Sequence, residues 1–185
     1  MKDDVFFRSS GGGVTLSGGE VLLQAPFATR LLQRLRRFGV HTAIETAGDT
    51  PLSRLMPLAH QCDEVLFDLK IMDTEQARSV VAMNLPRVLD NFMQLVADGV
   101  NVIPRVPLIP GFTLNETNMA RVLAFLLPSG IRQLHLLPFH QYGEPKYRLL
   151  GQEWGMRQVV PPTESEVAAM RQMAEREGFH VTVGG

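Results

Sequence analysis

The stretch Ser17-Gly18-Gly19-Glu20 is where chemistry is easiest to read. Two glycines let the backbone adopt positive φ and let its amides and carbonyls approach a ligand closely, and a carboxylate closes the run. Val14-Thr15-Leu16 ahead of it reads as a short apolar strand, so the loop sits where strand ends receive small polar ligands. A plain strand-to-helix turn has the same composition, so the loop alone does not decide. Further polar groups follow later apolar runs: Glu45-Thr46, Asp68-Leu69-Lys70, Arg105, and His140 after Leu136-Leu137-Pro138-Phe139. Glu20, Glu45 and Asp68 suit an ammonium, a sulfonium or a metal ion, whereas Lys70 and Arg105 suit a carboxylate. A zwitterion with an amino acid end satisfies both sets through charge-assisted hydrogen bonds. Each residue also has a structural use. Glu45 can be a solvated strand end, Asp68 and Lys70 an ion pair, Arg105 a neutraliser of the carboxylates, and His140 a hydrogen-bonded structural histidine.

Those groups require strands to carry them. Apolar runs at 14–16, 41–46, 64–68, 101–106, 133–137 and 179–183 read as strands. Between them come helical patterns at Pro26–Phe38, Ser53–His60 (with Pro57 a kink or boundary), Thr74–Val81 and Pro86–Asp98. A further helix capped by Asn115 runs to about Leu127. A long loop spans Pro138–Pro162, and Thr163 with Glu166 forms a capping box for a last helix ending at Gly178. Residues 1–13 read as an irregular start. Strands alternating with helices predict a parallel sheet with crossover helices, and in such folds the C-terminal strand ends share one rim. Five successive strand ends with polar or ionisable groups therefore point to a site. A closed eight-strand barrel uses about 250 residues; this chain has 185 and five or six strands, which fits an incomplete barrel of a single domain.

Composition bounds the function. Hydrophobic residues make up 45% and charged residues 20%, ordinary for a globular protein, and the net charge of −1 leaves no basic footprint for nucleic acid or membrane. No apolar run approaches a membrane span and no signal peptide is visible, so a cytoplasmic setting is expected. Cys62 is the sole cysteine, which excludes an internal disulfide and a cysteine-only metal site; it reads as a small buried side chain. His41, His60, His135 and His180 show no metal-ligand spacing. No P-loop, dinucleotide fingerprint or nucleophile elbow is present.

In order and approximate spacing, Val14-Thr15-Leu16-Ser17-Gly18-Gly19-Glu20, Glu45-Thr46-Ala47-Gly48, Asp68-Leu69-Lys70 and Leu136-Leu137-Pro138-Phe139-His140 resemble the glycyl-radical-enzyme activating enzymes. Gly143-Glu144-Pro145-Lys146-Tyr147 adds to the likeness, which covers residues 11 to about 178. These are radical S-adenosylmethionine proteins typified by pyruvate formate-lyase activating enzyme. The resemblance implies an α/β fold, a partial (β/α)6 TIM-like barrel, here without its first strand and cluster loop. It implies that Ser17, Gly18, Gly19 and Glu20 hold the amino group of S-adenosylmethionine and that Asp68 and Lys70 contact its amino acid end. His140 lies against its methionine or ribose part, Arg105 sits inside the barrel toward the cofactor or the incoming glycine loop, and Thr46 also counts among the cofactor-binding residues. Glu45, Thr46, Asp68 and the backbone of Leu66 would surround a monovalent cation, with Glu45 standing where the family often has Asp.

The resemblance further implies a glycyl radical enzyme as partner, a flavodoxin or ferredoxin as electron donor, and a [4Fe–4S] cluster on a C-x3-C-x2-C loop. That loop has no counterpart in this sequence, which suggests a fragment that is inactive by itself. Two other readings stay open on the residues alone. One is a cluster-free module that binds a small zwitterion or a peptide. The other is a barrel enzyme using Glu45, Asp68 and Lys70 as acid and base.

Overall fold

The computed structural model describes residues 12–184. The irregular start expected over the first residues, and Gly11, lie outside them, apart from Gly12 and Gly13. Six parallel strands form one sheet in the order β1-β2-β3-β4-β5-β6, each crossover carrying at least one helix. This is the predicted α/β class, and of the five or six strands expected six are present. Two compact units divide the chain: one reaches to Asp68 and resumes over Asp73–Pro104, the other comprises Leu69–Met72 and the chain from Arg105 onward.

In the first unit β1 (Gly13–Leu16), β2 (His41–Thr46) and β3 (Glu64–Asp68) pair in parallel. Thr15 lies opposite Ala43, Glu45 opposite Leu66 and Thr46 opposite Phe67. Helix α1 (Ala25–Arg37) starts with Pro26 in its first turn and lays Ala28, Leu32 and Leu35 inward. It stops at Gly39, whose φ of 68° suits glycine. Helix α2 (Leu52–Ala59) holds Pro57 without ending there. Asp73 caps α3 (Thr74–Val81) by accepting from Gln76 N, and Asn84 caps α4 (Leu85–Ala97) by accepting from Arg87 N. The core is Leu32, Ile44, Leu55, Val65, Phe67 and Phe92, with the two phenylalanine rings edge to face at 5.2 Å. Burying side chains of this size stabilises by roughly 1.5–3 kcal/mol each.

Strand β4 (Val102–Leu108) passes from one unit to the other between Pro104 and Arg105. It extends beyond the expected end at Val106: proline lacks the N–H of a ladder, yet at Pro107 pairing continues with Leu137. In the second unit β4 pairs with β5 (Gln133–Pro138), and β5 with β6 (His180–Val183). Val106, Leu108, Leu134 and Leu136 are buried there, as are Met119, Val122 and Leu126 of α5 (Glu116–Leu126) and Met170 and Ala174 of α7 (Glu164–Arg176). The predicted capping box is present: Glu166 N donates to Thr163 Oγ, and the Glu166 carboxylate accepts from Thr163 N at 2.8 Å and from its hydroxyl at 2.7 Å. Those bonds, the backbone one first, hold Glu166 below its ordinary pKa.

One expectation is corrected. Residues 138–162 are not a bare loop, because Gln141–Gly143 forms a 3-10 turn and Glu144–Leu149 a short helix, α6. Their order comes from contacts distant in sequence. The Gln141 amide donates to Met156 O at 2.9 Å and to Val159 O at 2.8 Å, and it accepts from the Trp154 indole. Among the described residues no helix is long and apolar enough to cross a membrane.

Candidate functional site

The loop after β1 is tied to the end of β2 through one carboxylate. Glu20 Oε1 accepts from the Thr46 hydroxyl at 2.8 Å and from Leu22 N at 3.2 Å, while Oε2 accepts from Ala47 N at 3.2 Å. Thr46 Oγ in turn accepts from Gly48 N at 3.0 Å. Beside it the Ser17 hydroxyl donates to Glu45 Oε2. The structure therefore brings together Ser17, Glu20, Glu45 and Thr46, four of the residues expected at the site. It also separates two of them by face. Glu45 is in register with Leu66 and shares a side of the sheet with Asp68 two residues on, whereas Thr46 is in register with Phe67 on the other side. Gly18 has φ of 130°, and the space where a Cβ would sit is empty at Gly18 and Gly19. A cavity of about 220 Å³, lined by Leu16, Ser17, Gly19, Glu20 and Phe27 among others, opens beside the loop.

A supporting layer, which the sequence reading did not single out, fixes the loop after β2. Asn91 is buried on α4, and its amide donates to the carbonyls of Gly48 and Thr50, both at 2.7 Å. Arg87 grips Asp49 with Nε at 2.8 Å and Nη2 at 2.5 Å. Gly48 has φ of 67°, and a Cβ there would overlap the Phe67 ring. One signal for Asn91 was present: it interrupts the apolar stripe of Leu85, Val88, Phe92 and Leu95, where a polar group must be paired.

In the second unit the expected residues stand on separate strand ends. Lys70 belongs to the segment after β3, which is pinned by Asn118 from α5. The Asn118 amide donates to Lys70 O at 2.9 Å, and its carbonyl accepts from Met72 N at 2.8 Å. Leu69 N donates to Arg105 O at 2.8 Å. Arg105 is buried on β4 and lies in register with His135, on the face opposite Val106 and Leu136. His135, read from sequence as structural, thus neighbours a predicted site residue. His140 is exposed; its Nδ1 accepts from Tyr142 N at 3.2 Å, and the two rings lie 4.3 Å apart. With Nδ1 accepting, a neutral His140 carries its proton on Nε2.

Cys62 follows α2 and precedes β3, at the end of the strand opposite to Asp68. Its thiol is partly buried rather than wholly so, and it donates to Ala59 O. Burial, and then the neighbouring Asp63 charge, push its pKa up to about 11. That is the reverse of what a thiolate ligand needs. Among the described residues no group of three or more His, Cys, Asp or Glu side chains is placed to hold a metal ion.

Across its whole length the chain is 71% identical over 185 residues to a pyruvate formate-lyase 2-activating enzyme of Escherichia coli strain K12. The chain belongs to the glycyl-radical-enzyme activating enzyme family. It is also 30% identical over 187 residues to a trans-4-hydroxy-L-proline dehydratase activating enzyme of Clostridioides difficile. The chain spans 63% and 62% of the lengths of these two family relatives. Among solved structures, a domain of a pyruvate-formate lyase-activating enzyme from Bacteroides vulgatus superposes with a TM-score of 0.75 at 25% identity. That match covers 94% of this chain and 99% of the other. A radical SAM methyltransferase from Sphaerobacter thermophilus matches with a TM-score of 0.74 at 16% identity, over 98% of this chain and 54% of that one, and shares the fold. No protein-family model matches the chain.

Proposed function

We propose that the protein activates a glycyl radical enzyme of the pyruvate formate-lyase kind. The reaction is reductive cleavage of S-adenosylmethionine followed by removal of a hydrogen atom from a glycine Cα. A flavodoxin or ferredoxin supplies the electron, and the setting is cytoplasmic. The observation that carries this reading is the 71% identity along the entire chain to an activating enzyme of that kind.

The residues present do not fit a [4Fe–4S] cluster, which takes three thiolates in this family. Cys62 is a single, partly buried thiol with a raised pKa. The role left for this chain is to bind and orient, and by itself it is expected to leave S-adenosylmethionine intact. For binding, the loop after β1 fits well. Ser17, the open backbone at Gly18 and Gly19, and Glu20 form an acceptor-rich rim for an ammonium group, with nothing standing where a Cβ would. A carboxylate offers about four acceptor positions, and three are used by Leu22, Thr46 and Ala47, so Glu20 arrives oriented with capacity in reserve. Asp68 and Lys70 take the amino acid end of the ligand, His140 donates from Nε2 to its methionine or ribose part, and Arg105 supplies a buried positive charge. With the Thr46 hydroxyl already engaged, a monovalent cation would draw on Glu45, Asp68 and the Leu66 carbonyl.

Titration calorimetry of the chain with S-adenosylmethionine tests the reading. Measurable heat from the wild type and at least tenfold weaker binding by Glu20→Ala/Asp68→Ala are expected. Equal affinity in the two proteins, or no binding by the folded wild type, would overturn it. Product analysis after incubation with iron, sulfide and reductant checks the second part: 5′-deoxyadenosine formed by this chain alone would contradict the binding-only role.

A further inference from the structure

Helix α1 carries a charge pattern that neither the fold nor the site uses. From Val21 to Ile44 the sequence contains no acidic residue, yet it holds Arg30, Arg34, Arg36 and Arg37. All four are exposed, and among the described residues none of them takes part in an ion pair. Arg30, Arg34 and Arg37 follow one another at i, i+4 and i+7, so they share a face, where an exposed helix usually intersperses Glu with its basic residues. With Gln33 and the half-exposed ring of Phe38 they line a groove of about 470 Å³. The favourable effect of cations near a helix C-terminus accounts for charge in the last turn and does not reach Arg30.

We propose that this arginine face is a docking surface for an acidic protein surface. On the reading above, which supplies only the partner's identity, that surface belongs to the glycyl radical enzyme. An enzyme whose substrate is another protein has reason to hold it away from the reacting loop as well as at it. Three chemistries compete for a basic patch, and the geometry separates them. Arg30 to Arg37 spans about 10 Å at 1.5 Å per residue, enough for two or three phosphates of a strand and short of the six to ten that give strong nucleic-acid binding. A membrane-surface helix needs its apolar face in the lipid, but Ala28, Leu32 and Leu35 of α1 are committed to the core. Guanidinium groups beside an aromatic ring are the composition enriched at protein interfaces. Carboxylates on the partner pair with their positive charges in a salt-dependent way.

The test immobilises the chain and measures binding of a purified pyruvate formate-lyase-type glycyl radical enzyme at 50 and 200 mM salt. Three variants are compared: R30E/R34E/R37E, R30K/R34K/R37K, and R54E/R78E/R176E, the last making the same change in net charge elsewhere on the surface. The first should bind at least tenfold more weakly and lose its salt dependence, with the other two within threefold of wild type. The proposal is overturned if the first variant binds like wild type, if the third loses as much, or if the folded wild type does not bind. It is equally overturned if phosphatidylglycerol vesicles or a 30-nucleotide single strand bind more tightly than the enzyme. Calorimetry with S-adenosylmethionine on R30E/R34E/R37E, expected to match wild type, keeps a failure of this surface distinct from a failure of the ligand site.

Discussion

Glu20 is hydrogen-bonded three times over before any ligand arrives, so changing it does two things at once. It removes charge from the rim and frees the start of the 3-10 turn at Val21–Gln24 together with the end of β2. Asn118 is the cleaner residue to probe, because its side chain hydrogen-bonds only to backbone. Asn118→Ala leaves Lys70 O and Met72 N without their partner. A buried backbone group stripped of its bond costs about 1–3 kcal/mol, so chemical denaturation should show a loss of about 2 kcal/mol. Amide exchange at Met72 should rise at least tenfold while Leu134 and Leu136 stay protected. Unchanged protection at Met72 would mean that the segment holds its shape without Asn118.

At the scale of elements, the loop after β2 is set by a glycine, a buried asparagine and an arginine–carboxylate pair. Gly48→Ala is expected to cost about 3 kcal/mol, because the methyl group meets the Phe67 ring and the backbone keeps a left-handed φ. A fall in the thermal midpoint would register it. A midpoint unmoved from wild type would show that Phe67 turns aside freely, against its edge-to-face packing with Phe92. Capping chemistry made several elements legible without coordinates. Thr163 with Glu166, Asn115 before α5, and Pro26 at the start of α1 act over three or four residues, and each was found in its predicted place. Helix α6 was illegible for the opposite reason. It is six residues long, and Gln141 and Trp154, distant from each other in sequence, hold the segment around it.

For the whole molecule, Cys62 gives stability a dependence on alkaline pH. Its thiol ionises near 9.0 when unperturbed and near 11 in the fold, so between those values the unfolded chain has lost a proton that the native chain keeps. Proton release then favours unfolding, and stability falls as pH rises from about 9 to about 11. Urea titrations across that range should show the decline in wild type and a shallower one in Cys62→Ser. Identical slopes would assign the decline to other groups.

The sequence by itself determined the alternation of strands and helices, a count of five or six strands, the caps, and the ordered set of polar strand ends that marks the family. These depend on periodicity, backbone stereochemistry and short-range hydrogen bonds, all written within a few residues. Only the tertiary structure decided which polar groups meet. It paired Ser17 with Glu45, hung Glu20 on Thr46 and Ala47, put Glu45 and Thr46 on opposite faces through the β2–β3 register, and called on Asn91 and Asn118 from neighbouring helices. Those partners are 26 to 48 residues apart. Packing and register bring them together, and no local pattern encodes it.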